Sequence, residues 1–225
     1  MKSSNTKWPL SIDDLTVAFL DRLLVFHPEG KKPPPIEAEF DKGKGRLLII
    51  TGENASGKSF LRRLFTIAYR ENKVEVMDVS QQRRVGGGFS SAFIFGDESW
   101  ESTGYLSGKA VQGGIETCQN REKPHVIIWD EPDIGLSESY ASGVGLIIQA
   151  FILKLPKHTK AVIVTTHSRP LLSQLVDLEP HHLRLGGHPP LKEWLSSTVV
   201  KPKDLDDLQE ESLARFRMIT KIMQE

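Results

Sequence analysis

Eight consecutive residues carry the strongest chemical signal in the chain: Gly52-Glu53-Asn54-Ala55-Ser56-Gly57-Lys58-Ser59. They match the spacing G-x-x-x-x-G-K-[ST], in which glycines let the backbone turn until successive N–H groups face one anion-sized hollow. When a helix follows, the positive end of its dipole adds to the pull on an anion. Lys58 is then within reach of the β- and γ-phosphates of a nucleotide, and the Ser59 hydroxyl is placed to ligate Mg²⁺. The context fits: the apolar run Leu47-Leu48-Ile49-Ile50 leads in and a helical pattern follows Lys58. Binding of nucleotide phosphate by Gly52 to Ser59 is the first expectation.

A second apolar run, Val126-Ile127-Ile128-Trp129, ends in Asp130-Glu131-Pro132. Groups at the C-terminal edge of a parallel sheet are the ones that meet ligand. Adjacent side chains on a strand point different ways, so the two carboxylates can divide the work. Asp130 is expected to hold the Mg²⁺ shell through water, and Glu131 to polarise the attacking water. A third run, Ala161-Val162-Ile163-Val164, leads into Thr165-Thr166-His167-Ser168. A lone His at a sheet edge is usually structural, but the end of a parallel strand is where a γ-phosphate would lie, so His167 joins the expected site.

These groups need a scaffold that brings three strand ends together. Apolar runs alternating with helical stretches, among them Ser137 to Leu155 stopped by Pro156, predict an α/β fold with a mainly parallel sheet flanked by helices. Ahead of it, residues 1–30 read as a helical extension, with Ser11 as cap and Leu15, Phe19, Leu20, Leu23 and Leu24 at helical spacing. The stiff stretch Gly30 to Pro35 separates this from the main domain, residues 36–225. That domain opens on the alternating strand Ile36 to Phe40 and a turn from Lys42 to Gly45, and closes on a helix from Leu205 to Met223.

Composition narrows the class. The 225 residues are 39% hydrophobic and 26% charged, with 29 basic against 29 acidic side chains. That balance excludes a polybasic nucleic-acid arm or an acidic disordered tail as the main feature. One cysteine, Cys118, makes neither an intramolecular disulfide nor a multi-cysteine zinc site. The opening residues MKSSNTKWPL have no apolar core of a secretory signal, and no apolar run approaches the roughly 20 residues of a bilayer span. A cytoplasmic protein without membrane insertion is expected.

GENASGKS (52–59), VIIWDEP (126–132) and VIVTTHS (162–168) together resemble the motifs of the ATP-binding cassette (ABC) class of P-loop ATPases. The stretch from Asp130 through Leu172 looks more like the soluble RecF, Rad50 and overcoming-lysogenisation-defect ATPases than like transporter subunits. The resemblance covers about residues 36 to 185. It implies ATP and Mg²⁺ as ligands, Lys58 and Ser59 as phosphate and metal contacts, Asp130 as metal carboxylate, Glu131 as general base and His167 as γ-phosphate sensor. It further implies a glutamine that senses metal and water after the next strand, read at Lys73 to Val79; Gln81 or Gln82 fits, with Gln81 favoured. The family completes its site across a dimer with a Leu-Ser-Gly-Gly-Gln-like signature. Leu106-Ser107-Gly108-Lys109 is the best match, 24 positions before Asp130, with Ser102-Thr103-Gly104 and Gly86-Gly87-Gly88 as rivals. Ser107, Gly108 and the helix start behind them would face the opposite subunit's γ-phosphate. Where the family often has an Asp near Leu136, Ser137-Glu138 stands instead. Only 24 positions separate Gln82 from Leu106, so neither a large helical subdomain nor a long coiled coil fits between them.

The resulting expectation is an ATPase that pairs with a second copy or another cassette and drives a protein partner in DNA maintenance or phage defence. Its rivals are a nucleotide-dependent binding module with little turnover, a small-molecule kinase and a transporter ATPase subunit. Weaker signals point elsewhere: Arg62-Arg63 and Arg83-Arg84 could touch DNA, though paired basic residues usually form a solvated face. His181-His182 and His188 lack the spacing of a metal site. Trp8, Phe26 or Phe40 could stack on adenine, though each suits a core as well.

Overall fold

Continuous apolar runs can bury both faces only as inner strands of a sheet covered on two sides. The computed structural model of the protein describes residues 38–80 and 102–197, with helical positions 206, 209, 210, 212–214 and 217. The predicted extension over residues 1–30, Gln81, Gln82, Gly86 to Gly88, Arg83, Arg84, Trp8 and Phe26 lie outside them.

Six strands form one sheet: β1 (Ala38–Asp41), β2 (Leu47–Thr51), β3 (Glu75–Ser80), β4 (His125–Asp130), β5 (Thr159–Thr165) and β6 (His181–Leu185). Their order is β1-β6-β2-β5-β4-β3, with every pair parallel except β1 against β6. The helices are α1 (Lys58–Glu71), α2 (Thr103–Asn120), α3 (Glu138–Leu153), α4 (Arg169–Ser173) and α5 (Leu191–Ser196), with a 3₁₀ turn at Val176–Leu178. This is the α/β architecture the sequence predicts.

The period-2 geometry of β2 divides the core. Leu48 and Ile50 pack under Leu61, Phe65 and Tyr69 of α1, while Leu47 and Ile49 face the other layer. That second layer is built from Val111 and Cys118 of α2, Val144, Ile148 and Phe151 of α3, and Leu171 and Leu172 of α4. Trp129 on β4 is fully buried there, its ring edge-on to Phe151. The same alternation turns Asp130, two residues past Ile128, toward α1.

Two elements escape the sequence reading. β6, His181-His182-Leu183-Arg184-Leu185, is hidden because its histidines read as polar loop residues. Burial makes them part of the sheet: Thr51 Oγ1 is hydrogen-bonded to Nε2 of His182 (2.8 Å) and Nδ1 of His188 (3.0 Å). The other is α5, a six-residue helix too short to show a period. Phe40, an adenine-stacking expectation, instead lies parallel to the His181 ring at 5.9 Å.

His182 carries a pH signature. Burial pushes its imidazole from 6.5 down to about 4, against the opposing pull of Asp41. Between those values the unfolded chain binds the proton more readily, so stability is full above about pH 6.5 and is lost as pH falls through the window. Urea unfolding is expected to show a loss of up to about 3 kcal/mol from this residue between pH 7 and pH 4. His182→Gln, which cannot titrate, should flatten that part of the curve.

Candidate nucleotide site

The loop from Gly52 to Gly57 joins the end of β2 to the start of α1 and is built on unusual backbone angles. Gly57, the residue before the helix, has φ 104°, and Ala55 has φ 58°. Only glycine takes the former without strain. At Gly52 a methyl group would meet Ser56 Oγ at 2.5 Å and the Leu185 Cβ at 2.8 Å, so loop and β6 close tightly there. The first turn of α1 has neither a side-chain cap nor an acidic residue. Its amides and dipole therefore present a positive end to the hollow.

Lys58 sits over that hollow. It is 7% exposed, and its Nζ donates to the carbonyls of Gly52 (2.8 Å) and Glu53 (2.9 Å). Ser56 Oγ is buried with no hydrogen-bond partner. A buried ammonium on loop carbonyls, an orphaned hydroxyl and an uncapped helix start fit a phosphate group. Glu53, Asn54 and Ser59 are exposed around the rim.

Strand order decides what faces the loop. Because β5 lies between β2 and β4, the residues after β5 stand between the loop after β2 and the acidic pair. Asp130 ends β4; its Oδ1 accepts from Thr165 Oγ1, and its Oδ2 lies 3.2 Å from Arg62 Nε. Glu131 has φ 51°, and its amide donates to the Thr165 carbonyl at 2.8 Å. The Glu131 carboxylate lies beside His167, whose Nε2 is 3.7 Å from Glu131 Oε1. Burial, then the Asp130 charge, raises the proton affinity of Glu131, and Lys58 opposes the rise. Burial and Lys58 push His167 down to about 4, so its ring is neutral at pH 7. Asp133 accepts from Thr166 Oγ1 at 2.6 Å, which ties the turn after Glu131 to the end of β5.

Hard oxygen donors from Ser59 and Asp130, one carboxylate among them, suit Mg²⁺, which takes most of its other ligands from phosphate and water. Among the described residues, no three His, Cys, Asp or Glu side chains are grouped so as to hold a metal ion. Lys58, Ser59, Asp130, Glu131 and His167 thus come from three strand ends at one sheet edge. β3 ends beside them, Ser80 pairing with Asp130, and Gln81 follows outside the described residues.

Ser107 is placed differently from the expectation. α2 starts at Thr103 with Ser102 as its cap, so Ser107 is in the second turn and fully buried. Its hydroxyl donates to the Thr103 and Ile134 carbonyls (3.0 and 2.8 Å), which leaves it facing the protein interior. Sequence spacing alone could not locate the helix start. The rival Ser102-Thr103-Gly104 occupies it. Gly108 lines an open groove of about 680 Å³ between α2 and α3, with Tyr105 and Tyr140 on its walls.

Three contributors are not legible as site residues in the sequence. Thr51 and Thr165 brace their neighbours, and Arg62, read there as a solvated or DNA-facing residue, is 4% exposed inside the site. Arg63 keeps to the solvated face. Neither a protein-family model nor a curated protein matches this sequence. Among the described residues, no helix is long and apolar enough to cross a membrane.

Proposed function

We propose that this protein is an ABC-type P-loop ATPase that binds Mg-ATP at the loop 52–59 and hydrolyses it. The observation that carries the proposal is the buried Lys58 ammonium above an uncapped helix start, with Asp130, Glu131 and His167 assembled across from it. The triphosphate lies along the loop amides, and Lys58 exchanges its two carbonyl partners for phosphate oxygens. Ser59 and Asp130 would hold a Mg²⁺ ion, which would supply charge neutralisation for the triphosphate.

Glu131 accepts a proton from a water as that water attacks the γ-phosphorus; the bond to the ADP oxygen breaks and phosphate leaves. A carboxylate whose proton affinity is raised by burial is a better base than a solvated one. Neutral His167 orients beside it and offers an N–H to the γ-phosphate. On the resemblance to ABC ATPases, a second copy or another cassette closes the site, with the exposed α2 start at Ser102 and Thr103 as the surface facing the triphosphate. Closure and reopening would then drive a protein partner. Purified protein is expected to release phosphate from Mg-ATP and to double its scattering mass in saturating Mg-ATP. A monomer under those conditions removes the composite site.

One observation favours a second reading, a nucleotide-gated binding module with little turnover. One Asp130 oxygen accepts a hydrogen bond from Thr165, and the other is ion-paired, without a hydrogen bond, to Arg62 Nε. Nucleotide binding without phosphate release would select it.

A further inference from the structure

Arg62 occupies a position where a helix packed on a sheet calls for an apolar side chain. It is four residues after Lys58 and three after Ser59, so it lies one turn along the same face of α1. Leu61, Phe65 and Tyr69 of that helix are core residues. The Arg62 guanidinium is instead clamped between carboxylates of two neighbouring strands. Nη1 donates to both oxygens of Asp78 (2.7 and 2.9 Å), and Nε faces Asp130 Oδ2 at 3.2 Å. Register accounts for the convergence: Ser80 pairs with Asp130, and Asp78 is two residues back on the same face of β3.

An arginine cannot shed its charge, so burial at this site is tolerable only through such partners. One oxygen of Asp130 thereby serves a protein cation at the place where the proposed site needs it for a metal. Asp78, already gripping Nη1 with both oxygens, gives the guanidinium somewhere to remain if Asp130 is withdrawn.

We propose that Arg62 is a positioning residue that competes with the divalent cation for Asp130, and that Asp78 is the partner onto which it retreats. This rests on the nucleotide-site reading above. Arg62 neutralises Asp130 while no metal is present and lowers the affinity for metal, so that capture of the ion depends on the nucleotide arriving with it. Asp78 sets the balance.

The test uses the full chain with Mn²⁺ as probe, free Mn²⁺ being read by electron paramagnetic resonance in saturating ADP. Arg62→Met is expected to bind Mn²⁺ about tenfold more tightly than wild type, and Asp78→Asn about tenfold more weakly, the scale on which outer-shell partners act. The opposed signs are what a merely structural role would not produce. Asp78→Asn keeps the arginine and carries the test should Arg62→Met fail to fold. Equal affinities, or shifts in the same direction, overturn the proposal while leaving nucleotide binding intact. Wild-type protein that binds no ADP overturns the underlying reading and this proposal with it.

Discussion

Lys58→Ala is expected to weaken ATP binding by about 100-fold or more, measured by calorimetric titration in Mg²⁺. The Lys58 ammonium is already desolvated and held at the loop by two carbonyls. Exchanging those partners for phosphate oxygens turns charge–dipole bonds into charge–charge bonds. Hydrogen bonds to charged groups contribute about 1.5–3 kcal/mol each, and about 2.7 kcal/mol corresponds to a factor of 100. The substitution also leaves the Gly52 and Glu53 carbonyls without that donor, so a loss of about 1 kcal/mol in urea unfolding without nucleotide should accompany it. ATP bound equally well by the variant would place the nucleotide somewhere other than this loop.

Glu131→Gln is expected to lower phosphate release by about 10²–10⁴-fold, the usual contribution of a positioned general base, with ATP affinity nearly unchanged. Gln keeps the size and a hydrogen-bonding carbonyl but cannot accept the water's proton. Because burial and Asp130 raise the proton affinity of Glu131, wild-type turnover should fall on the acid side at a higher pH than a solvated carboxylate would dictate. The variant should also hold the ATP-bound pair long enough for light scattering to register it. If release persists at the wild-type rate, the base lies elsewhere; if wild-type release is itself negligible, the gated-module reading stands.

The parts that follow from local rules were legible. Continuous apolar runs became β2, β4 and β5 because a strand covered on both faces has no polar side to show. The loop 52–59 was legible because glycines at its ends are needed for its backbone angles, whatever packs around it. Helix α3 ran as its apolar pattern and Pro156 indicated. The start of α2 was not, since Ser102 and Ser107 can each precede a helix and only contact with Ile134 distinguishes the capping serine from the buried one.

What the sequence determined by itself is therefore which groups are available: a glycine-bounded loop carrying Lys58 between a strand and a helix, an acidic pair after a second strand and a histidine after a third. The tertiary structure decided which of these meet. β6 inserts between β1 and β2 although the Lys42 to Gly45 turn joins those two directly, and β5 inserts between β2 and β4, which sets His167 beside Glu131. Pairing of distant strands is fixed by how apolar faces cover one another, and no local pattern encodes it. Arg62 shows the same limit. On a helix map it is one basic residue beside another, and only the register of β3 against β4 supplies the two carboxylates that draw it inside.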